Sequence, residues 1–346
     1  MKILVIQQKM IGDVLISSII CENIKLWNPK IEVDFLVNRH TIPVIENNPH
    51  IDNIIIFEDH KSDRRRNFLK FLKMHKNKDY DIIIDAYGKI ESIIITLLTN
   101  AKIKIGYKKW YTKWVYSILI DRKLRKSKAE IQLSILNRLK LLEPIVGKNF
   151  KFKLKPRIHL KQEREKNIDL ISIKKKNILI MISVLGSSVI KSYPINKMAT
   201  LLNYLVKKHP VKLILNYMPD QRDEIMNFLK KINPKTKEAI IKNKTPKSLR
   251  DYISTVSYCD AIIGNEGGAI NIAKSLNIPS FSIFSPQIDP DVWNTECSKN
   301  VSVHIKDFND KFKNFKLNQN QIIRLYESFD FNYFKKNLST FIRGLQ

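Results

Sequence analysis

Three short segments of the 346-residue chain hold residue types whose spacing suits chemistry. Ile11-Gly12-Asp13-Val14 follows the apolar run Lys2–Ile6. Glycine permits a tight turn there, and the aspartate falls beside the start of the next helix. A carboxylate so placed serves as a general base or as a plain helix N-cap, and spacing alone does not separate the two. Asn265-Glu266-Gly267-Gly268 again separates an apolar run from a helical pattern. Its glycines let the backbone approach a ligand, and the helix start behind them offers free N–H groups and a positive dipole end to phosphate. Glu266 would repel phosphate but accept hydrogen bonds from sugar hydroxyls; a glycine-rich turn with no ligand is the competing reading. Gly186-Ser187-Ser188-Val189-Ile190-Lys191 combines hydroxyls with an ammonium, which suits a diphosphate leaving group. In a chain this rich in lysine, one lysine carries little weight by itself.

Other chemistries find less support. No GxGxxG follows the first strand, which disfavours a nicotinamide or flavin site. Asp289-Pro290-Asp291 spells a DxD, but in a proline-flanked loop before Trp293, where a structural turn is the better reading. Asp79-Tyr80-Asp81 reads as a strand-entry turn. The seven histidines are scattered, and Cys21, Cys259 and Cys297 lie far apart, so neither a zinc site nor a disulfide framework is expected. Two basic clusters remain. Arg64-Arg65-Arg66 opens a helix, where the dipole disfavours cations, and so points to an external anion. Lys102 to Lys128 holds ten Lys or Arg against one acid, Asp121, interleaved with Tyr107, Trp110, Tyr111, Trp114 and Tyr116. That mixture fits a nucleic-acid channel, an anionic glycolipid, a membrane surface or a plain solvated loop.

The elements that must carry these residues alternate in type. Strands are expected at Lys2–Ile6, Glu32–Val37, Asn53–Phe57 and Asp81–Asp85, with a helix over Val14–Leu26 ended by Asn28-Pro29. Arg64–Met74 and Lys128–Leu142 show apolar residues at helical spacing. Between Phe150 and Lys176 the pattern decays into lysine-rich sequence, then restarts. Strands follow at Asn177–Ile182, Val211–Leu215, Ala261–Gly264 and Ser280–Ile283. Helices follow at Ile195–Lys208, Gln221–Lys231, Ser248–Val256 and Gly267–Leu276, with Ser248 and Asp251 as a start signal. Helical patterns around Gln319–Glu327 and Phe331–Leu345 close the chain. This alternation predicts two α/β halves with doubly wound parallel sheets, whose ligands bind at strand carboxyl ends.

The net charge of +28 first suggests nucleic acid. The excess is mostly lysine spread along the whole chain beside Ile and Asn, so compositional bias explains most of it, and the remainder favours anionic partners. The apolar N-terminus is far shorter than a signal-peptide core, and no apolar run reaches the roughly 20 residues that span a bilayer. A cytoplasmic protein whose membrane contact, if any, is peripheral is expected.

Taken in order, these segments resemble the bacterial lipopolysaccharide heptosyltransferases, glycosyltransferase family nine. KILVIQQKMIGDVLISSII is similar to the family's strand, Gly-Asp turn and helix. DYDIIIDAYGKIESIII and Ile105-Gly106-Tyr107 follow in the family's order, and Lys191-Ser192-Tyr193-Pro194 matches its KrWP motif. SLRDYISTVSYCDAIIGNEGGAINIAKSLNIPSFSIFSP resembles its most specific stretch. The resemblance implies a GT-B fold, two Rossmann-like domains facing a central cleft. Residues 1–165 would bind acceptor, 166–325 would bind nucleotide sugar, and a helix in 326–346 would pack back on the first domain. It implies inverting transfer of heptose, typically from ADP-heptose, to the lipopolysaccharide core or a similar lipid-anchored anionic acceptor.

Carried over to this chain, the resemblance makes Asp13 the base, and Lys191 with Ser187 and Ser188 the diphosphate contacts. Gly12, Gly267 and Gly268 would let backbone approach the donor, and Glu266 and Asn271 would touch its sugar. Arg64, Arg65, Arg66, Lys89 and Ser92 would meet acceptor anions. No cofactor beyond the nucleotide-sugar co-substrate is required; a divalent metal is compatible but not indicated. Two departures bear on the donor: the family's DtGpmH reads Glu266 to Asn271, and Tyr193 replaces the usual Trp. They leave open another nucleotide sugar, a hexose or N-acetylhexosamine, in cell-surface glycan assembly. A non-catalytic nucleic-acid binder is the remote alternative, and no nucleic-acid partner is expected.

Overall fold

The computed structural model describes residues 1–58, 64–75, 78–122, 132–160, 168–294, 299–309, 312 and 316–345. They form two compact units, Met1–His159 and Leu160–Gln346, dividing inside the lysine-rich stretch.

The first unit runs β1 (Lys2–Ile6), α1 (Ile11–Trp27), β2 (Glu32–Asn38), β3 (Asn53–Phe57), α2 (Arg64–His75), β4 (Tyr80–Asp85) and α3 (Ile90–Leu98). It continues through β5 (Ala101–Tyr107), β6 (Ile118–Ile120), α4 (Leu133–Lys140) and α5 (Glu143–Val146). The sheet order is β3-β2-β1-β4-β5-β6, with every pair parallel. Strand β1 is central, and Ile3, Leu4, Val5 and Ile6 are buried on both faces, as an unalternating apolar run requires. The chain fills one side of β1 with β2 and β3, then crosses to β4. That reversal makes the gap between the carboxyl ends of β1 and β4 a switch point, where such sheets bind ligands.

The second unit runs α6 (Ile168–Lys174), β7 (Ile178–Ser183), α7 (Ile195–Lys208), β8 (Val211–Asn216), α8 (Arg222–Lys231), α9 (Pro234–Ala239) and α10 (Leu249–Val256). It ends with β9 (Ala261–Asn265), α11 (Gly268–Ser275), β10 (Ser280–Ile283), α12 (Pro290–Trp293), β11 (Asn300–Val303), α13 (Gln319–Ser328) and α14 (Phe331–Arg343). Its all-parallel order is β11-β10-β9-β7-β8, so the switch point lies between β7 and β9. Ser248 caps α10 by accepting from Asp251 N at 3.1 Å. Helix α14 buries Phe331, Phe334, Leu338, Phe341 and Ile342 in the core of this second unit. Among the described residues no helix is long and apolar enough to cross a membrane.

One boundary matters for function. Helix α1 begins at Ile11, not Val14, with Met10 as an N-cap that makes no side-chain bond. Asp13 therefore lies within the first helical turn and is not its cap.

Candidate functional site

At the first switch point, Arg138 of α4 reaches back to α1. Its Nη2 donates to Asp13 Oδ1 at 2.5 Å, and its Nε donates to Ser17 Oγ at 3.2 Å. Ser17 in turn donates to Gln7 Oε1 at 3.2 Å, and Gln7 Nε2 to Lys9 O at 2.7 Å. Arg138 is nearly buried, while the Asp13 side chain stays about a quarter exposed. One Asp13 oxygen is thus fixed by a charge-assisted bond, and Oδ2 carries no hydrogen bond among the described residues.

The other side of the switch point is organised by Asp85 at the end of β4. This fully buried carboxylate accepts from Tyr116 Oη at 2.6 Å, Gly88 N at 2.8 Å and Tyr87 N at 3.0 Å. Burial pushes its pKa up, and the bonds from Tyr116, Gly88, Ser92 and Tyr87 oppose that shift. The loop so held presents Lys89, exposed and with its ammonium unpaired among the described residues, as the N-cap of α3. Ser92 is fully buried; its hydroxyl accepts from Lys89 N and donates to Lys89 O, closing the start of α3. Arg66 is exposed on α2, and the side chains of Arg64 and Arg65 lie outside the described structure. Gly12 is buried in the first turn of α1.

At the second switch point, one residue joins the two loops. Asn265, buried at the end of β9, accepts from Tyr193 N at 2.6 Å and donates to Val184 O at 2.8 Å and Ser183 O at 3.2 Å. Gly186 has no room for a side chain: a Cβ there would lie 2.2 Å from Lys191 O. The loop therefore folds back on itself and leaves Ser187 and Ser188 exposed. The Lys191 ammonium has no partner among the described residues. Behind it the Tyr193 ring is fully buried, and its hydroxyl donates to Phe329 O at 2.7 Å.

Across the switch point, Gly267 takes φ +155°, with no side-chain cap, and opens α11. The first N–H groups of that helix are free of any side-chain acceptor from the cap, a ready anion site. Glu266 is partly buried, and its N–H donates to Ile283 O at 3.0 Å. Asn271 is over nine-tenths buried on α11, and its carboxamide makes no hydrogen bond among the described residues.

Asp289 caps α12 by accepting from Asp291 N at 3.0 Å, and both carboxylates lie within 4.0 Å of Lys306 Nζ, so this DxD is a helix-start turn. Asp79 and Asp81 lie at the amino end of the first sheet, bonded to Asn100 and to Lys2 N. Among the described residues no three His, Cys, Asp or Glu side chains gather as a metal site. The sequence reading missed Arg138, and it named Asn265 in the glycine-rich turn without giving it a role. Each left a faint signal: an arginine on the apolar face of a helix, and a carboxamide closing an apolar strand.

Two parallel-sheet units with their polar loops at both switch points define a GT-B architecture. The crystal structure of the glycosyl transferase family 9 from Veillonella parvula matches with a TM-score of 0.71 at 16% identity, over 94% of this chain and 96% of that one. Escherichia coli heptosyltransferase WaaC with ADP matches with a TM-score of 0.72 at 12% identity, over 99% and 100%. The family model for glycosyltransferase family 9 (heptosyltransferase) matches residues 68–320, and this chain belongs to that family. It is a glycosyltransferase. Lipopolysaccharide heptosyltransferase 1 of Campylobacter coli is 26% identical over 299 residues, covering 82% of this chain and 84% of that protein. The matched segment contains Lys89, Arg138, Lys191 and Glu266 to Asn271, whereas Asp13 precedes it.

Proposed function

We propose that the enzyme transfers heptose from ADP-heptose, with inversion, to the lipopolysaccharide core or a similar lipid-anchored anionic acceptor at the cytoplasmic face of the inner membrane. The observation that carries this reading is the Asp13 carboxylate, held through Oδ1 by Arg138 with Oδ2 open to an acceptor hydroxyl. Oδ2 takes the hydroxyl proton as the oxygen attacks the anomeric carbon from the face opposite the diphosphate. The bond to the diphosphate breaks, and its electron pair leaves with the nucleotide. Lys191, Ser187, Ser188 and the N–H groups behind Gly267 and Gly268 take up that charge. Gly12, inside the first turn of α1, lets the backbone beside Asp13 come close to the donor, and Glu266 and Asn271 contact the donor sugar. Lys89 and Arg64 to Arg66 meet acceptor anions, while Ser92 holds the start of α3 from behind. A base and leaving-group stabilisation suffice for this displacement.

The ADP named with WaaC and the heptose and lipopolysaccharide in the Campylobacter relative's name support this choice of substrates. Glu266 and Asn271, in place of the usual Asp and His, favour a second reading with another nucleotide sugar, a hexose or N-acetylhexosamine. A thermal-shift screen over ADP- and UDP-sugars separates them, because a ligand of the folded state raises the midpoint. ADP-heptose is expected to give the largest rise, and Lys191→Ala to weaken ADP binding about tenfold. A rise with UDP-sugars alone moves the assignment to the second reading; no response to any nucleotide sugar overturns both.

A further inference from the structure

The segment Lys108 to Ser117 joins β5 to β6, and apart from the Tyr116 bond to Asp85 it takes no part in the roles above. Bonds from Thr112 N to Lys109 O, Val115 N to Thr112 O and Tyr116 N to Thr112 O, at 3.1 to 3.3 Å, wind it into consecutive turns. Residues four apart then share a face. Thr112 and Tyr116 form the inner face. The Thr112 hydroxyl accepts from Lys109 N at 2.9 Å and donates to Tyr107 O at 3.1 Å, and Tyr116 donates to the buried Asp85. Trp110 and Trp114 form the outer face, 85% and 91% exposed. These two indoles stand in solvent on one face of a loop pinned from below, although tryptophan is on average a highly buried residue.

The surroundings select a partner. Within the loop there is no acid; among the described residues the exposed Lys113 ammonium is unpaired, and Lys108 lies 3.6 Å from the exposed Asp121. Lys109 Nζ donates to Gly88 O at 2.5 Å, which ties the loop to the start of α3, where Ile90 is 72% exposed. Indole rings ringed by lysines match the boundary between lipid headgroups and acyl chains, where an amphipathic ring is wet at one edge and apolar at the other. We propose that this loop docks the enzyme on an anionic bilayer, with Trp110 and Trp114 seated at headgroup depth and Lys108 and Lys113 against lipid phosphates. The loop's exposed indoles and lysines stand independently of the proposed function; the preference for a bilayer over a protein partner also draws on the lipid-anchored acceptor of that reading.

The test uses the full chain with phosphatidylglycerol-containing and pure phosphatidylcholine vesicles, without donor or acceptor. Wild type is expected to sediment with the anionic vesicles and to show a blue shift of tryptophan emission. Trp110→Ala/Trp114→Ala should lose the shift and partition at least about tenfold more weakly, and Lys113→Glu should weaken anionic binding alone. With a delipidated soluble acceptor, the double variant should turn over like wild type. Vesicle binding unchanged in the double variant would assign adsorption to the general +28 charge and overturn the proposal. It also fails if transfer to the soluble acceptor drops, which makes the loop an acceptor contact, or if the double variant loses a self-association of wild type, which assigns the patch to a second copy. Absence of transferase activity with vesicle binding intact would count against the proposed function and leave the docking surface standing.

Discussion

Asp13 holds one carboxylate oxygen against Arg138, and among the described residues nothing bonds the other, which fixes its direction without using up the acceptor capacity that a base needs. Asp13→Asn keeps an oxygen for Arg138 but cannot take a proton. Transfer should fall by at least about 100-fold with donor affinity unchanged, and retained turnover in a single-turnover assay would remove Asp13 as base. Arg138→Met leaves a half-buried carboxylate free to swing. Its kcat should drop with little change in donor Kd, and Arg138→Lys should restore part of the loss; a fall in donor affinity instead would assign Arg138 a general structural role. Neither residue's importance could be weighed from spacing. The pair is separated by 125 positions, and only the packing of α1 on α4 closes that distance.

At the scale of elements, the strand-to-helix loops of the second unit depend on Asn265. Its carboxamide satisfies one backbone N–H and two carbonyls from the neighbouring loop. Asn265→Ala leaves those groups buried without partners and should cost about 3 kcal/mol in urea unfolding, with nucleotide affinity falling as the Lys191 loop loosens. Unchanged stability and affinity would show that the loops hold their shape without it. The early start of α1 is explained at the same scale. Met10 offers no cap oxygen, so nothing in the residue types marked the boundary at Ile11. Short edge elements such as β6 and β11 escaped the reading for a related reason: three or four residues, partly exposed, carry too little periodicity.

At the scale of the whole molecule, acid stability has an identifiable component. His304 is fully buried after β11, and its Nδ1 accepts from Lys306 N at 2.9 Å. Burial pushes its pKa down from 6.5 to about 4. The folded state therefore resists protonation that the unfolded chain accepts. The stabilisation is complete above about pH 6.5 and is lost progressively as pH falls toward 4, by at most about 3 kcal/mol. Asp307 beside it is pushed up by burial and acts in the opposite direction, so the comparison is made against His304→Asn with Asp307 retained. The variant should flatten the fall in urea midpoint between pH 7 and pH 4.5; parallel profiles would assign the acid sensitivity elsewhere.

The chain's own order of apolar runs and helical periods determined two α/β units and their parallel sheets, because buried central strands and amphipathic helices are encoded locally, residue by residue. The places of Gly12-Asp13, of the Gly186 to Lys191 loop and of Glu266 to Gly268 after their strands were legible for the same reason, although Gly12 and Asp13 lie in the first turn of α1 rather than in a turn before it. Which of their side chains are free to act was decided by tertiary structure. Ser92 was drawn inside to close a helix start, Asn265 was spent joining two loops, and Asp13 was held through one oxygen by Arg138. Those outcomes depend on partners brought from distant parts of the chain, and no local pattern of residue types contains them.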